Sequence, residues 1–264
     1  FTTSSHPITS NIPAWAGSSW SDGGLFTTFN FVRFYEKKDG NQQTWNMDGG
    51  DDLLEKYDEL DPRFAQTIAA HGANWNTAIG ILNFLPGGAH NVANDKTKHL
   101  VRKWVPRVLR ATAPRNSTNM DWIVFRVAEL YLNYAEALNE YYETPPKEAF
   151  DAVLKVRERS GMPGFPSTLN KEQFREKLRR ERAVELAYED HRFWDIRRWL
   201  IADDEGVMKG AMYGLQLSAV TGAPGKVHYK PYVFENRLWS DRSYLHPIKQ
   251  TEIDKGYMLQ NPGW

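Results

Sequence analysis

The densest set of side chains that could take part in chemistry lies between residues 179 and 199, in a segment predicted to form a pair of helices. Carboxylates occur there in pairs, as general acid–base catalysis requires. An arginine beside a carboxylate lowers its pKa, the wrong direction for a general acid near neutral pH. We therefore interpret the set as buried structural ion pairs, sealed from water by Phe193, Trp194 and Trp199. Its charged members are Glu181, Arg182, Glu185, Glu189, Arg192, Asp195 and Arg198.

Other patterns typical of catalysis or metal binding do not occur in the sequence. Cys is absent, so the chain has no thiolate nucleophile, disulfide or Cys-ligated metal. The seven histidines show no His-x-x-x-His or His-Glu-x-x-His spacing, and residues 48–55 lack the calcium-loop pattern. No Gly-x-Ser-x-Gly, phosphate-binding glycine loop or dinucleotide fingerprint is present. We predict no catalytic residue, no metal site and no cofactor.

Aromatic side chains exceed what a core needs, with 10 Trp, 12 Tyr and 13 Phe. Sugars are bound by exposed rings, which cover their C–H faces, and by amides or carboxylates, which bond their hydroxyls. Half-burying one ring contributes about 2 kcal/mol at about 25 cal/mol per Å². Four tryptophans stand in polar or glycine-rich stretches, where each is a candidate either for a sugar site or for capping the core. The predicted glycan-binding residues are Trp20, Trp15, Asp22, Ser19, Trp45, Trp75, Asn74 and Asn76.

The elements that must position these residues are mainly helices of the second half. Apolar and aromatic residues at three-to-four spacing predict a helix over residues 126–142. Thr144 as N-cap and Pro145 at the first helical position predict the start of a second helix, which Gly161 helps to end. Two such antiparallel helices resemble a single tetratricopeptide-type hairpin, with no repeat array.

A third helix is predicted to begin at a capping box formed by Asn170 and Gln173 and to run to about residue 189. A short helix over residues 193–201 is predicted to follow it. The tail after residue 206 is predicted to consist of loops and short extended pieces.

The first half is predicted to be loop-rich, with a short acidic helix within residues 48–61. Basic residues dominate from 95 to 121, where we expect extended, partly buried segments. The basic stretch 96–115 is open to two interpretations: a solvated strand face, or a surface that meets an acidic glycan or a transporter.

Net charge and hydropathy give no support for a nucleic-acid-binding protein or for one that spans a membrane with helices. Lys+Arg and Asp+Glu are both 33, so net charge gives no reason to expect a nucleic-acid partner. No apolar run approaches the roughly 20 residues of a membrane-spanning helix. The chain opens at Phe1 without a visible signal peptide, and we expect it to be a processed or truncated piece.

Several segments, in order along the chain, resemble the motifs of one family. They are Tyr35-Glu-Lys-Lys-Asp-Gly40, Asp61-Pro-Arg-Phe64, Arg126-Val-Ala-Glu-Leu-Tyr-Leu-Asn-Tyr-Ala-Glu-Ala137, Val156-Arg-Glu-Arg-Ser-Gly-Met-Pro163, the charged set of residues 181–199, Tyr244-Leu-His-Pro-Ile248 with Glu252-Ile253, and Gln260-Asn-Pro-Gly-Trp264. On these motifs the chain is similar to the SusD/RagB family.

The resemblance implies a fold that is mainly α, with long irregular loops and a few short strands on a helical-hairpin, tetratricopeptide-like scaffold of the SusD type. The scaffold would be incomplete, because family members are substantially longer and carry a lipid-anchored cysteine that this chain lacks. We expect a single C-terminal domain over 1–264. Its parts would be a loop-rich, ligand-facing region at 1–120, a helical scaffold at 121–202, and C-terminal loops with the family tail motif at 203–264.

The function implied by the resemblance is non-catalytic binding of glycans at the bacterial outer membrane, with delivery to a SusC-like TonB-dependent transporter. A lipid anchor on the missing part would hold the protein at the cell surface. In the family, the loop before the Tyr35 motif contributes to the ligand site, which favours Trp15, Trp20 and Asp22. Two alternatives stay open: a glycoside-cleaving enzyme with paired carboxylates, and a helical peptide-binding scaffold.

Overall fold

The computed structural model of the chain describes residues 26–91, 95–105 and 123–264. Within these ranges the protein is mainly helical, with two small antiparallel sheets of two strands each. No helix in the described part of the chain is both long and apolar enough to cross a bilayer. The helices are α1 Phe29–Val32, α2 Leu53–Glu59, α3 Arg63–Thr67, α4 Val127–Tyr141, α5 Lys147–Glu158, α6 Lys171–Glu185, α7 His191–Arg198 and α8 Gln250–Ile253, with a 3₁₀ turn at Asp241–Tyr244. The strands are β1 Ile68–Ala70, β2 His99–Val101, β3 Gly210–Ala219 and β4 Val227–Arg237.

Helices α4, α5 and α6 form one layer around their own hydrophobic cluster. Leu132 and Ala135 of α4 are fully buried beside Val153 of α5 and Phe174 of α6. The helix predicted over residues 126–142 is confirmed as α4. The predicted apolar face of α4 is wrong, however, because residues whose spacing predicted the helix are exposed: Val127 by 62%, Leu130 by 50% and Tyr141 by 82%. The helix packs through the neighbouring face, which carries Leu132 and Ala135.

The boundaries of the next two helices are partly as predicted. The capping box of α6 is confirmed, because the Asn170 side chain accepts from the Gln173 N–H and the Gln173 side chain accepts from the Asn170 N–H. The predicted start of α5 at Pro145 is wrong, since the helix begins at Lys147 after an extended Pro146. A proline disfavours helical backbone in the residue before it, so Pro146 keeps Pro145 out of the helix.

Helix α6 ends at Glu185, four residues before the predicted end. Tyr188 and Asp190 adopt left-handed backbone with φ near +60°, and α7 starts directly after them. The turn directs the Glu189 carboxylate towards Lys103 and Arg126, which both contact it. The early end of α6 thus goes together with ion pairs between Glu189 and residues distant in sequence. Helical periodicity alone did not predict this end.

A second hydrophobic cluster joins α1–α3, the first sheet and the hairpin of β3 and β4. Phe29, Ile68, Leu100 and Tyr229 lie at its centre and are almost fully buried. Strands β1 and β2 pair antiparallel, with Ala69 opposite Leu100. The expected extended character of residues 95–121 is therefore met at β2, and residues 106–122 lie outside the described part.

The tail contains a long β-hairpin, so the prediction of only short extended pieces after residue 206 is wrong. Strands β3 and β4 pair from Gly210↔Arg237 to Ala219↔Val227, with one irregularity beside Met212. Leu215 and Leu217 point into the core, while Gln216 and Ser218 face outwards. This period-two alternation suits a half-buried strand, and the turn at 221–225 carries two glycines and a proline.

The charged set forms the expected buried lattice. Arg63 of α3 donates to Glu181 and to Glu185 of α6 over 2.6 Å and 2.9 Å, and all three side chains are at most 6% exposed. Arg157 of α5 bridges Glu181 and Glu36 over 2.6 Å and 2.8 Å. The lattice therefore ties the helical layer to the first half of the chain, and its prediction as structural ion pairing is confirmed.

Two rings that were expected to seal the lattice do not do so. Phe193 is 41% exposed and Trp194 is 60% exposed, because α7 turns that face towards solvent. Trp199 is half-buried, and its indole N–H donates to Glu136 over 2.7 Å. Arg192 places its guanidinium 5.3 Å from the centre of the Phe34 ring.

Acidification is expected to destabilise the protein through these carboxylates. Burial alone raises the pKa of Glu181 and of Glu185, but the charges and hydrogen bonds of the arginines outweigh it and hold each pKa below its usual 4.5. A lowered folded-state pKa stabilises the fold above the unfolded value, and that stability is lost as pH falls through the folded value. We expect the free energy of unfolding in urea to fall progressively below about pH 4.5.

The matched control is Glu172→Gln, because this glutamate pairs with Arg175 at the surface and its side chain is 74% exposed. This variant should follow the wild-type pH profile, whereas Glu181→Gln should flatten it. A wild-type stability unchanged down to about pH 3 would contradict the role of these carboxylates.

Candidate functional site

Four of the eight predicted glycan-binding residues lie outside the described residues. These are Trp15, Ser19, Trp20 and Asp22, all within residues 1–25.

Of the four predicted tryptophans, Trp45 and Trp75 are described, and they lie in or against one hydrophobic cluster. Trp75 is 2% exposed, and the Arg102 guanidinium lies 5.1 Å from its ring centre. The ring therefore has no free face for a sugar, contrary to the expectation of an exposed Trp75. Trp45 is half-buried and packs edge-on against Phe29 and Tyr229, with ring centres 5.0 Å and 6.0 Å apart. Both rings were expected in polar loops because their neighbours in sequence are polar.

The two asparagines flank Trp75 in a loop. The Asn76 side-chain oxygen accepts from the N–H groups of Ala78 and Ile79 over 3.0 Å and 2.8 Å, which closes a turn. Asn74 is exposed, and its backbone pairs with Ile81. Asn76 thus supports the loop, while Asn74 keeps an amide at the surface.

A groove of about 410 Å³ lies elsewhere, between the outer face of the β3–β4 hairpin and residues within 84–91 and 95–98. Its hairpin side is a ladder of cross-strand pairs, in which Gln216 stands opposite Lys230 and Ser218 opposite His228. These side chains share a face because residues two apart in a strand point the same way. The described lining residues are Phe84, Pro86, Asn91, Asp95, Lys98, Leu215, Gln216, Leu217, Ser218, His228, Lys230 and Tyr232.

The opposite wall is a tight turn at residues 95–98. The buried Asp95 carboxylate accepts from the backbone N–H groups of Thr97 and Lys98 over 2.8 Å and 2.9 Å, and Lys98 takes a left-handed backbone with φ of 57°. Tyr232 donates its hydroxyl to the Lys96 carbonyl over 3.0 Å. The hydrogen bonds fix this turn against the hairpin.

Glycine is required where the turn meets strand β3. A Cβ atom added to Gly214 would stand 1.9 Å from the Lys96 carbonyl oxygen, well inside van der Waals contact. The close approach brings the turn onto the hairpin and so defines one end of the groove.

Three charged or titratable side chains of the groove differ in burial: Asp95 is buried, Lys98 is half-buried, and His228 lies at the rim. Burial lowers the pKa of the Lys98 ammonium while the Asp95 charge opposes the shift, and the ammonium donates to Asn91 over 2.7 Å. Burial raises the pKa of Asp95, which its hydrogen bonds from Thr97 and Lys98 oppose. At the rim, His228 Nδ1 lies 2.6 Å from an Asp51 carboxylate oxygen.

The groove combines an apolar floor with amide, hydroxyl, ammonium and imidazole groups, which is the mixture that a hydroxyl-rich ligand requires. Asp95 is the one carboxylate among its described lining residues. Within residues 26–91, 95–105 and 123–264, no three His, Asp or Glu side chains are placed to hold a metal ion. The arrangement favours binding over acid–base chemistry.

The sequence contains a signal for the hairpin side of this groove. Polar and apolar residues alternate from 214 to 218 and again from 228 to 232, on either side of the glycine-rich turn at 221–225. That pattern predicts a hairpin with one polar face. The turn at 95–98 has no such signal, because its place on the hairpin depends on a contact more than 100 residues away in sequence.

Known proteins resemble this chain in both sequence and fold. A 95-residue stretch is 40% identical to SusD-like protein P25 of Formosa agariphila and covers 35% of this chain and 18% of that protein. The crystal structure of a SusD-like protein from Bacteroides fragilis matches with a TM-score of 0.80 and 27% identity, over 97% of this chain and 51% of that one. A second protein of that species, described as a SusD-like carbohydrate-binding protein, shares the fold at 24% identity and a TM-score of 0.60, over 86% of this chain and 46% of that one.

This chain spans about half the length of these two solved structures. The predicted fold class, mainly α with long loops and a few strands on a SusD-type helical scaffold, is confirmed by the helical structure and its solved neighbours. The sequence matches the SusD family over residues 2–264, and the chain therefore belongs to that family.

Proposed function

We propose that this protein binds glycans without cleaving them, at the surface of the bacterial outer membrane, and passes them to a SusC-like TonB-dependent transporter. Membership of the SusD family supports this function. The observation that carries it is the groove on the hairpin, whose described lining combines amides and hydroxyls with apolar residues and one buried carboxylate, Asp95.

In this proposal, sugar hydroxyls bond to Gln216, Ser218 and Asn91, while Pro86 and Tyr232 meet the C–H faces. The predicted loop residues Trp15, Ser19, Trp20 and Asp22 remain part of the proposed site as further rings and polar groups. Trp45 and Asn74 remain candidates because both keep exposed surface. A few hydrogen bonds and half-buried rings, offset by the cost of association, give an affinity of about millimolar to micromolar. Such weak, reversible binding suits a protein that must release its ligand to a transporter.

Cleavage of glycosidic bonds is disfavoured by where the carboxylates lie. A glycosidase needs two carboxyl groups on either side of the scissile bond. In the groove Asp95 stands without a second carboxylate among the described lining residues, and its Oδ1 is held by Thr97 and Lys98. Glu181 and Glu185 are buried and paired with arginine, and neither lines this groove.

Titration calorimetry against a panel of oligosaccharides, with a reducing-end assay on the same samples, tests this function. We expect saturable binding with heat that fits one site, and no release of reducing ends over many hours. Product formation would contradict the non-catalytic assignment, and the absence of binding across neutral and acidic glycans would contradict the function itself.

Replacing Gln216 with alanine should weaken glycan binding about fivefold, because a lost hydrogen bond costs about 1 kcal/mol. Gln216 is exposed on the groove face, so the fold should keep its stability. The matched control is Gln66→Ala, since Gln66 is an exposed glutamine on α3 outside the groove. Equal affinities of the two variants in calorimetry would remove Gln216 from the site.

A further inference from the structure

Two lysines and a histidine line the groove, and they show what kind of glycan would fit it. We propose that the groove selects acidic glycans, with a carboxylate or sulfate group of the sugar held between Lys98 on the turn and Lys230 on the hairpin. This inference rests on the proposed function and names the substrate class of that same groove. It also chooses between the two interpretations of the basic stretch 96–115, since Lys98 belongs to that stretch.

Lys98 carries a half-buried ammonium that donates a hydrogen bond to a neutral amide. Its Nζ donates to Asn91 Oδ1 over 2.7 Å. The nearby Asp95 carboxylate uses Oδ1 for three hydrogen bonds, from the N–H groups of Thr97 and Lys98 and from the Thr97 hydroxyl. A partly desolvated cation without a direct ion pair is unfavourable, and an anion in the groove would relieve that cost.

Lys230 supplies the second cation from the facing wall. It is exposed on β4, opposite Gln216, and within the described ranges it takes part in no ion pair. His228 lies two residues away on the same face and is paired with Asp51 at the rim. Of the charged side chains on the hairpin wall, Lys230 is therefore the one available to pair with an anionic ligand.

The placement suits a sugar that carries one acidic group. Carboxylate and sulfate oxygens accept charge-assisted hydrogen bonds from ammonium groups, which are about twice as strong as neutral ones. Gln216 and Ser218 stand beside Lys230 on the same face and would bond the hydroxyls next to the acidic group. A neutral sugar would use these amides and hydroxyls but leave both ammonium groups without an anion.

The test compares ligands that share one sugar backbone, with the acidic group either charged or blocked or removed. Calorimetry on the full chain would use tetragalacturonate and its fully methyl-esterified form, and a sulfated galactan tetrasaccharide and its desulfated form. We expect at least one charged member to bind about tenfold more tightly than its neutral counterpart, and the excess to fall with rising salt. The galacturonate pair tests carboxylates and the galactan pair tests sulfates.

Lys230→Gln should remove most of this preference while leaving affinity for the neutral ligands nearly unchanged. Lys147→Gln is the control, because this lysine is an exposed residue of α5 that does not line the groove. Equal affinity for charged and neutral members of both pairs would overturn the selection of acidic glycans and leave glycan binding intact. A charge preference that survives in Lys230→Gln would overturn this placement, and no binding of any of the four ligands would count against both proposals.

Discussion

Replacing Arg63 with alanine is expected to lower the free energy of unfolding by about 3–5 kcal/mol, the largest single effect anticipated in this protein. Arg63 donates to Glu181, Glu185 and Asp61 from a side chain that is 6% exposed. Its removal leaves three buried carboxylates short of a partner, and Glu181 and Glu185 sit where the helical layer meets α3. Urea unfolding followed by circular dichroism would measure the loss.

Two further variants test whether the loss comes from the buried ion pairs or would follow the removal of any ion pair. Lys147→Ala breaks an exposed pair with Asp151 and should cost less than about 1 kcal/mol. Arg63→Lys keeps the charge but loses the forked geometry, so we expect an intermediate loss and a folded protein even if the alanine variant does not fold. If Arg63→Ala lowered the free energy of unfolding by less than about 1 kcal/mol, the lattice would not be what holds the helical layer against the first half of the chain.

Replacing Gly214 with alanine should both destabilise the fold and weaken glycan binding. The new Cβ would lie 1.9 Å from the Lys96 carbonyl oxygen, a backbone atom that a side-chain rotation cannot move away. Either β3 or the turn at 95–98 must shift, at a cost of about 1–3 kcal/mol. Because that turn is one wall of the groove, the same shift moves Lys98 and Asp95 away from the hairpin.

Gly164→Ala is the matched control, because its added Cβ would meet only the Leu154 side chain at 3.4 Å. We expect this variant to bind glycans as the wild type does. If Gly214→Ala were as stable as the wild type and bound as tightly, the close contact of the turn with the hairpin would not define the binding site.

The helical layer and the lattice were predictable because their signals are local. Ala149, Ala152, Val153 and Val156 follow helical spacing and are buried on α5, and the Asn170 capping box is complete within four residues. Charged residues that sit among apolar ones need partners wherever they are buried, so Glu181 and Glu185 implied arginines near them. The sequence did not indicate that one of these arginines is Arg63, 118 residues from Glu181 along the chain.

The groove was not predictable from the same reasoning. Polar neighbours suggested that Trp45 and Trp75 were exposed, yet both rings pack with residues distant in sequence, such as Tyr229 and Arg102. Tertiary packing, which local composition does not encode, decides whether such a ring faces the core or the solvent. The groove itself combines a turn near residue 96 with strands near residues 216 and 230, so it exists only after folding.

The most direct test is a crystal structure of the protein with an oligosaccharide bound at saturating concentration. We expect the sugar to lie on the outer face of the hairpin, against Gln216 and Lys230, with the turn at 95–98 on its other side. The lattice around Arg63 should be unchanged. A sugar bound elsewhere with this groove empty, or one placed beside Glu185 or Asp195 in an opened crevice, would contradict the account.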